Sequence, residues 1–133
     1  MRLVLLGLTF LALLSCEPRE QTVFEYVCEE VEAAHGEPCG RLKPPLVVRT
    51  SILDHVKGGP FRGSYAPGEP YVFINPGTPD AVRSETHETA HYVLYSLLGW
   101  STGEHLCVSE AEARRIAKQP GDDWRKKYGC VET

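Results

Sequence analysis

The longest helical pattern in the chain spans residues 80–98. His87, His91, Leu94, Tyr95 and Leu98 recur at the i, i+4, i+7, i+8 and i+11 spacing of one buried face, and Val93 and Leu97 widen it. Thr78 is placed to cap this helix, Pro79 suits its first position, and Asp80 is favourable near its positive end. No proline interrupts the pattern before Gly99, a natural stop. The spacing predicts a helix of about 20 residues, roughly 30 Å long.

Upstream, a second amphipathic helix is predicted over 22–35. Val23, Phe24, Val27, Cys28, Val31 and Ala34 share its apolar face, Glu29, Glu30 and Glu32 its solvated side, and Gly36 ends it. Residues 46–53 are β-rich, Gly58-Gly59 breaks the chain, and further strands are predicted over 61–65 and 71–75. Downstream of the long helix, residues 100–106 connect to a helix over about 109–119. Pro120-Gly121 ends it, and a short helix over 122–128 returns Trp124 to the core. This order predicts an α+β fold, with helices packed on one face of a small, mostly antiparallel sheet.

The first residues stand apart from that pattern. Arg2 gives a positive start, and residues 3–14 form an apolar run of twelve. Such a run is too short to span a bilayer as a mature helix and suits the h-region of a signal peptide. Leu13-Leu14-Ser15-Cys16 resembles the bacterial lipobox. The resemblance implies a lipoprotein-type signal peptide over 1–15, cleavage before Cys16 and lipid on the Cys16 sulfur; ordinary secretion is the alternative. Residues 16–21 then form a tether, and 22–133 one modest domain. Both alternatives place the chain outside the cytoplasm, and the lipoprotein one anchors it to a membrane in the bacterial cell envelope.

Charge and cysteine content narrow the picture further. The formal net charge is −4 and there is no basic cluster, which argues against nucleic acid as a partner. Arg125-Lys126-Lys127 follows Asp122-Asp123 and decorates a short solvated helix. Besides Cys16, the chain has Cys28, Cys39, Cys107 and Cys130. Four cysteines in a small exported protein suggest two disulfides, with three pairings to choose from. Cys28–Cys39 with Cys107–Cys130 is preferred, because each bridge closes a local loop.

The candidate chemistry lies on the long helix. His87-Glu88-Thr89-Ala90-His91 reads H-E-x-x-H. Positions i and i+4 lie one turn apart on one helix face, so two imidazoles can bind one cation from the same side. Glu88 borders that face and can reach a water on the metal without being a ligand. Two histidines satisfied within the core would fit the same stripe. Zinc sites that do chemistry usually add a third protein ligand and keep one position open.

Eighteen residues separate His91 from Glu110, where Glu110-Ala111-Glu112-Ala113 reads E-x-x-A. In this the sequence resembles the gluzincin metallopeptidases, whose H-E-x-x-H is followed by E-x-x-A or E-x-x-x-D on a second helix. The resemblance implies a zincin-like fold and one Zn2+ ion held by His87, His91 and Glu110. Glu88 would then be the general base, and the substrate a protein or peptide. Glu112 competes for the third ligand position. Ser109-x-x-Glu112 also reads as a capping box, which would occupy Glu112 and leave Glu110 free. Arg114 stands where some gluzincins have an aspartate, and Ser109 where many have asparagine. The groups that would fix the imidazole tautomers are therefore unassigned. His105 is a weaker ligand candidate, and the metzincin third histidine is absent. The strand, turn and motif helix from Tyr71 onward also look like the small zinc peptidases that cleave phage-type repressors.

The implied reaction is metal-assisted hydrolysis of a peptide bond, with Glu88 moving the proton. Tyr65, Tyr71, Tyr95, His105 and Tyr128 are candidate oxyanion donors. The strand at 71–75 or at 61–65 is a candidate edge for pairing with an extended substrate. The alternative is a non-catalytic lipoprotein, a binding or structural module whose zinc is structural or absent.

Overall fold

The computed structural model describes residues 20–57 and 59–131. The expected signal peptide and Cys16 lie outside the described residues, as does most of the expected tether. Helix α1 (Val23–His35) begins at Thr22, whose side chain accepts from the Glu25 N–H, and ends at Gly36 in the left-handed region. Its buried residues are Val27 and Val31; Ala34, expected on that face, is exposed.

Strands β1 (Leu46–Arg49), β2 (Gly63–Ser64) and β3 (Tyr71–Ile74) form one sheet in the order β1-β3-β2. The sheet is mixed rather than mostly antiparallel: β1 runs parallel to β3, and β2 antiparallel to it. The reason lies in the connection after β1. Thr50 caps a 3-10 turn (Ser51–Asp54), so the β-rich run ends at Arg49 instead of continuing to Leu53. The chain then crosses the end of β3 and returns on its far side, so β3 inserts between the other two strands. Asn75 pins that crossing. It is fully buried, donates through Nδ2 to Asp54 Oδ1 and the Phe61 carbonyl, and its backbone N–H donates to Arg62. Only two residues of the strand expected over 61–65 pair with β3.

Helix α2 (Ala81–Leu98) is the hub: α1, α3, β2 and β3 all pack on it. Val72 and Ile74 of β3 face inward, and Val72 meets Val27, Val31, Ala90, Val93, Leu94, Ala113 and Ile116 in the core cluster. Gly99 ends α2 in the left-handed region with its N–H on Tyr95. The start differs from expectation. Thr78 does not cap; its hydroxyl donates to the Asn75 carbonyl in a turn, and Asp80 sits at the N-cap with φ 57°.

Helix α3 (Leu106–Ile116) begins a turn earlier than expected, and α4 (Asp123–Lys127) buries Trp124. Ser109 is therefore inside α3, with its N–H on the His105 carbonyl, so the capping box does not form. The disulfides are Cys28–Cys39 and Cys107–Cys130. The second ties α3 to the segment following α4. Two disulfides mark a chain that folds in an oxidising compartment. Among the described residues, no helix is long and apolar enough to cross a membrane.

Candidate metal centre

One turn of α2 brings the His87 and His91 rings to 4.8 Å between centroids, both on the core side. Across from them, α3 presents the Glu110 carboxylate, 8% exposed. His87 Nε2 and His91 Nε2 are 3.1 Å apart; Glu110 Oε2 lies 3.0 Å from His91 Nε2, and Glu110 Oε1 3.3 Å from His87 Nε2. An ion with tetrahedral bonds of about 2.0–2.1 Å sets its ligand atoms roughly 3.3–3.4 Å apart. The contacts are near that length but use both Glu110 oxygens; with one ligand atom from each residue, the three lie within 4.8 Å of one another, close enough to share an ion. Among the described residues, His87, His91 and Glu110 are the group that could hold a metal ion.

Glu112 is turned elsewhere, pairing with Arg115 and lying 3.6 Å from His35 Nε2. His105 sits at the N-cap of α3 and does not join the group.

The outer nitrogens of both imidazoles have partners that the sequence did not reveal. His91 Nδ1 meets Ser109 Oγ at 2.7 Å, and His87 Nδ1 meets Gln119 Oε1 at 2.6 Å. An amide oxygen only accepts, so His87 Nδ1 carries the proton and its Nε2 lone pair faces the centre. Ser109 was visible as the neighbour of Glu110, one turn inside a helix that starts earlier than predicted. Gln119 had no sequence signal. It arrives through a helix-ending turn in which Lys118 adopts φ 55°, with the Gln119 N–H on the Arg114 carbonyl and the Lys118 N–H on Arg115. Arg114 Nε donates to Glu110 Oε1 at 2.8 Å, so a cation braces the carboxylate.

Burial lowers the His87 pKa, but the Glu110 hydrogen bond, the Glu88 and Glu110 charges and Gln119 outweigh it, and the net shift is upward. Burial raises Glu110, yet its bonds to His87 and His91 prevail and hold it far below the usual carboxylate range. Glu88 is pushed up, chiefly by burial, with His87 and His91 opposing and Glu110 adding to the rise.

Glu88 lines a cavity of about 420 Å³ with His87, Gln119 and Tyr128. Its position depends on Gly63 of β2: a Cβ there would come within 2.7 Å of Glu88 Cγ. Of the five expected oxyanion candidates, Tyr128 alone lines this cavity. Tyr65 is buried away from the cavity, where its hydroxyl accepts from the Gly68 N–H, and Tyr71 packs against Phe73.

Fold and site together define a small α+β protein whose described residues form four helices, a three-stranded mixed sheet and a buried His-His-Glu group able to take a metal. No protein family, characterised protein or solved structure matches this chain.

Proposed function

We propose that this chain is a zinc-dependent metallopeptidase of the gluzincin type. The observation that carries the proposal is the convergence of His87 Nε2, His91 Nε2 and the Glu110 carboxylate, with Glu88 beside them on the wall of an open cavity. A purely structural site gains nothing from a carboxylate held next to the ligands at the edge of a cleft. Zinc held by these ligands would lower the pKa of a bound water toward about 7 and polarise a substrate carbonyl.

The chain's own groups do the rest. Glu88, its basicity raised by burial, takes a proton from water and delivers it to the leaving amine. Tyr128 offers a hydroxyl with no hydrogen-bond partner among the described residues, and donates it to the oxygen that gains charge. An extended substrate pairs with the outer edge of β2, because β3 is hydrogen-bonded on both sides and β2 lies next to Glu88. The protein works outside the cytoplasm, consistent with its disulfides, and is tethered to a membrane through a lipid on Cys16.

The test is zinc analysis and peptide hydrolysis of the purified protein beside its Glu88→Gln variant. About one zinc per chain in both proteins, with hydrolysis lost only in the variant, is the expected outcome. Equal hydrolysis by both at equal zinc would remove Glu88 as the base. Absence of zinc at neutral pH would remove the metallopeptidase.

A further inference from the structure

The cleft beside the metal centre has a charge opposite to that of the whole chain. The protein carries a formal −4, yet among the described residues the cavity wall has Arg62, Arg114 and Lys127 against one carboxylate, that of Glu88. Arg49, Arg83, Arg115 and Arg125 are each tied to a carboxylate. Arg62 and Lys127 have no such partner among the described residues. Arg114 uses only its Nε on Glu110, so its two terminal nitrogens are left without a bond to the described residues.

The three cations come from two sides. Arg62 precedes Gly63 on the β2 wall. Arg114 and Lys127 come from α3 and α4, and the Lys127 ammonium stands 5.7 Å from the Tyr128 ring centre. Because all three line one cavity, a peptide seated in it is within reach of cations from both walls. Oriented guanidinium N–H groups in a concave, half-shielded wall favour a carboxylate, both by bidentate bonding and by focusing the local field.

We infer that this cleft selects peptides carrying a carboxylate close to the bond held over Glu88. The inference names the substrate class of the hydrolytic site and so rests on the function proposed above. The carboxylate is either an aspartate or glutamate side chain or the free C-terminus of the peptide. Arg62 and Lys127 determine this specificity.

The test compares four acetylated peptides of one sequence: a neutral amide, the same amide with one Gln→Glu change, the same amide with one Gln→Lys change, and the neutral sequence ending in a free carboxylate. Affinity for the zinc-loaded Glu88→Gln protein is measured by calorimetry, and kcat/KM with the active protein. At low salt, the glutamate or the free-carboxylate peptide should bind about five- to tenfold tighter than the neutral amide, the magnitude expected of two solvent-facing charge pairs. Whichever of the two gains more identifies the source of the carboxylate. The lysine peptide should gain nothing. The advantage should shrink toward unity in roughly 0.5 M salt, and should fall to about twofold or less in the double variant Arg62→Ala/Lys127→Ala, whose changes lie at exposed positions.

Equal affinity for all four peptides, no measurable binding of any, or an advantage that survives the double variant would overturn the inference. Cleavage without charge preference defeats the inference and leaves the peptidase. Selective binding with no cleavage of any peptide defeats the peptidase and leaves a carboxylate-selective peptide site.

Discussion

Gln119 Oε1 and His87 Nδ1 lie 2.6 Å apart although 32 positions separate them in the chain. The contact orients the imidazole so that its other nitrogen faces Glu110 at 3.3 Å. Gln119→Leu keeps the size of the side chain and removes the acceptor. Zinc affinity should fall by about ten- to a hundredfold, as for other partners of metal-bound histidines. Competition with a chelating indicator measures it, and an unchanged affinity would show that His87 is held by packing alone.

The two neighbouring carboxylates of α3 should behave differently. Glu110→Gln removes the charged oxygen facing both histidines and should abolish tight zinc binding. Glu112→Gln breaks only the pairs with Arg115 and His35, on a side of the helix turned away from the paired histidines. It should leave zinc content intact and change stability by less than about 1 kcal/mol. Zinc retained by the Glu110 variant and lost from the Glu112 variant would reverse the ligand assignment.

The Cys107–Cys130 bridge closes a 23-residue span that contains Glu110, Gln119 and Tyr128. Replacing both cysteines by serine should cost roughly 3 kcal/mol, by loop-closure entropy. It should also weaken zinc binding, because α3 is no longer tied to the segment following α4. Cys28–Cys39 spans 11 residues away from the centre, and its loss should lower the melting temperature while leaving zinc affinity of the folded protein alone. Thermal melts and zinc titrations on the two double variants separate these effects.

Metal-free and zinc-loaded protein should respond to pH in opposite directions. His87 is raised above its ordinary 6.5, so its contribution to stability is complete below that pH and is lost as pH rises through the shifted value. Glu88 has the same sign, because its carboxyl is raised from 4.5 and ionises at a cost in the folded state. Glu110 is shifted down, so its contribution is constant above the ordinary carboxylate range and is lost only on strong acidification. The melting temperature of the metal-free protein should therefore fall as the pH rises above 6.5. Zinc needs neutral imidazoles, so the rise in melting temperature that it causes should grow over the same window. A metal-free protein that gains stability as the pH rises above 6.5 would contradict the His87 and Glu88 shifts.

Much of the centre was legible because helix geometry is local. A pitch of 3.6 residues places His91 over His87 whatever surrounds them. Gly36 and Gly99 act on the backbone next to them, so they marked two helix ends correctly. Short loops between cysteines likewise favoured the two observed bridges. Glu110 could be preferred over Glu112, though the capping box offered as the reason does not exist; helix phase turns Glu110 toward the histidines and Glu112 away.

Tertiary structure alone decided the rest. β3 lies between β1 and β2 because the connection after Thr50 crosses over its end and is held there by buried Asn75, and no local spacing encodes such a crossing. The same holds for the centre's outer contacts. Gln119 reaches His87 only after the chain reverses at Lys118, Gly63 leaves room for Glu88 only because β2 pairs with β3, and Tyr128 enters the cleft where α4 returns the chain. Residues far apart in sequence meet where packing and chain reversals bring them. The sequence determined which groups could bind a metal, and the folded chain decided which groups surround them.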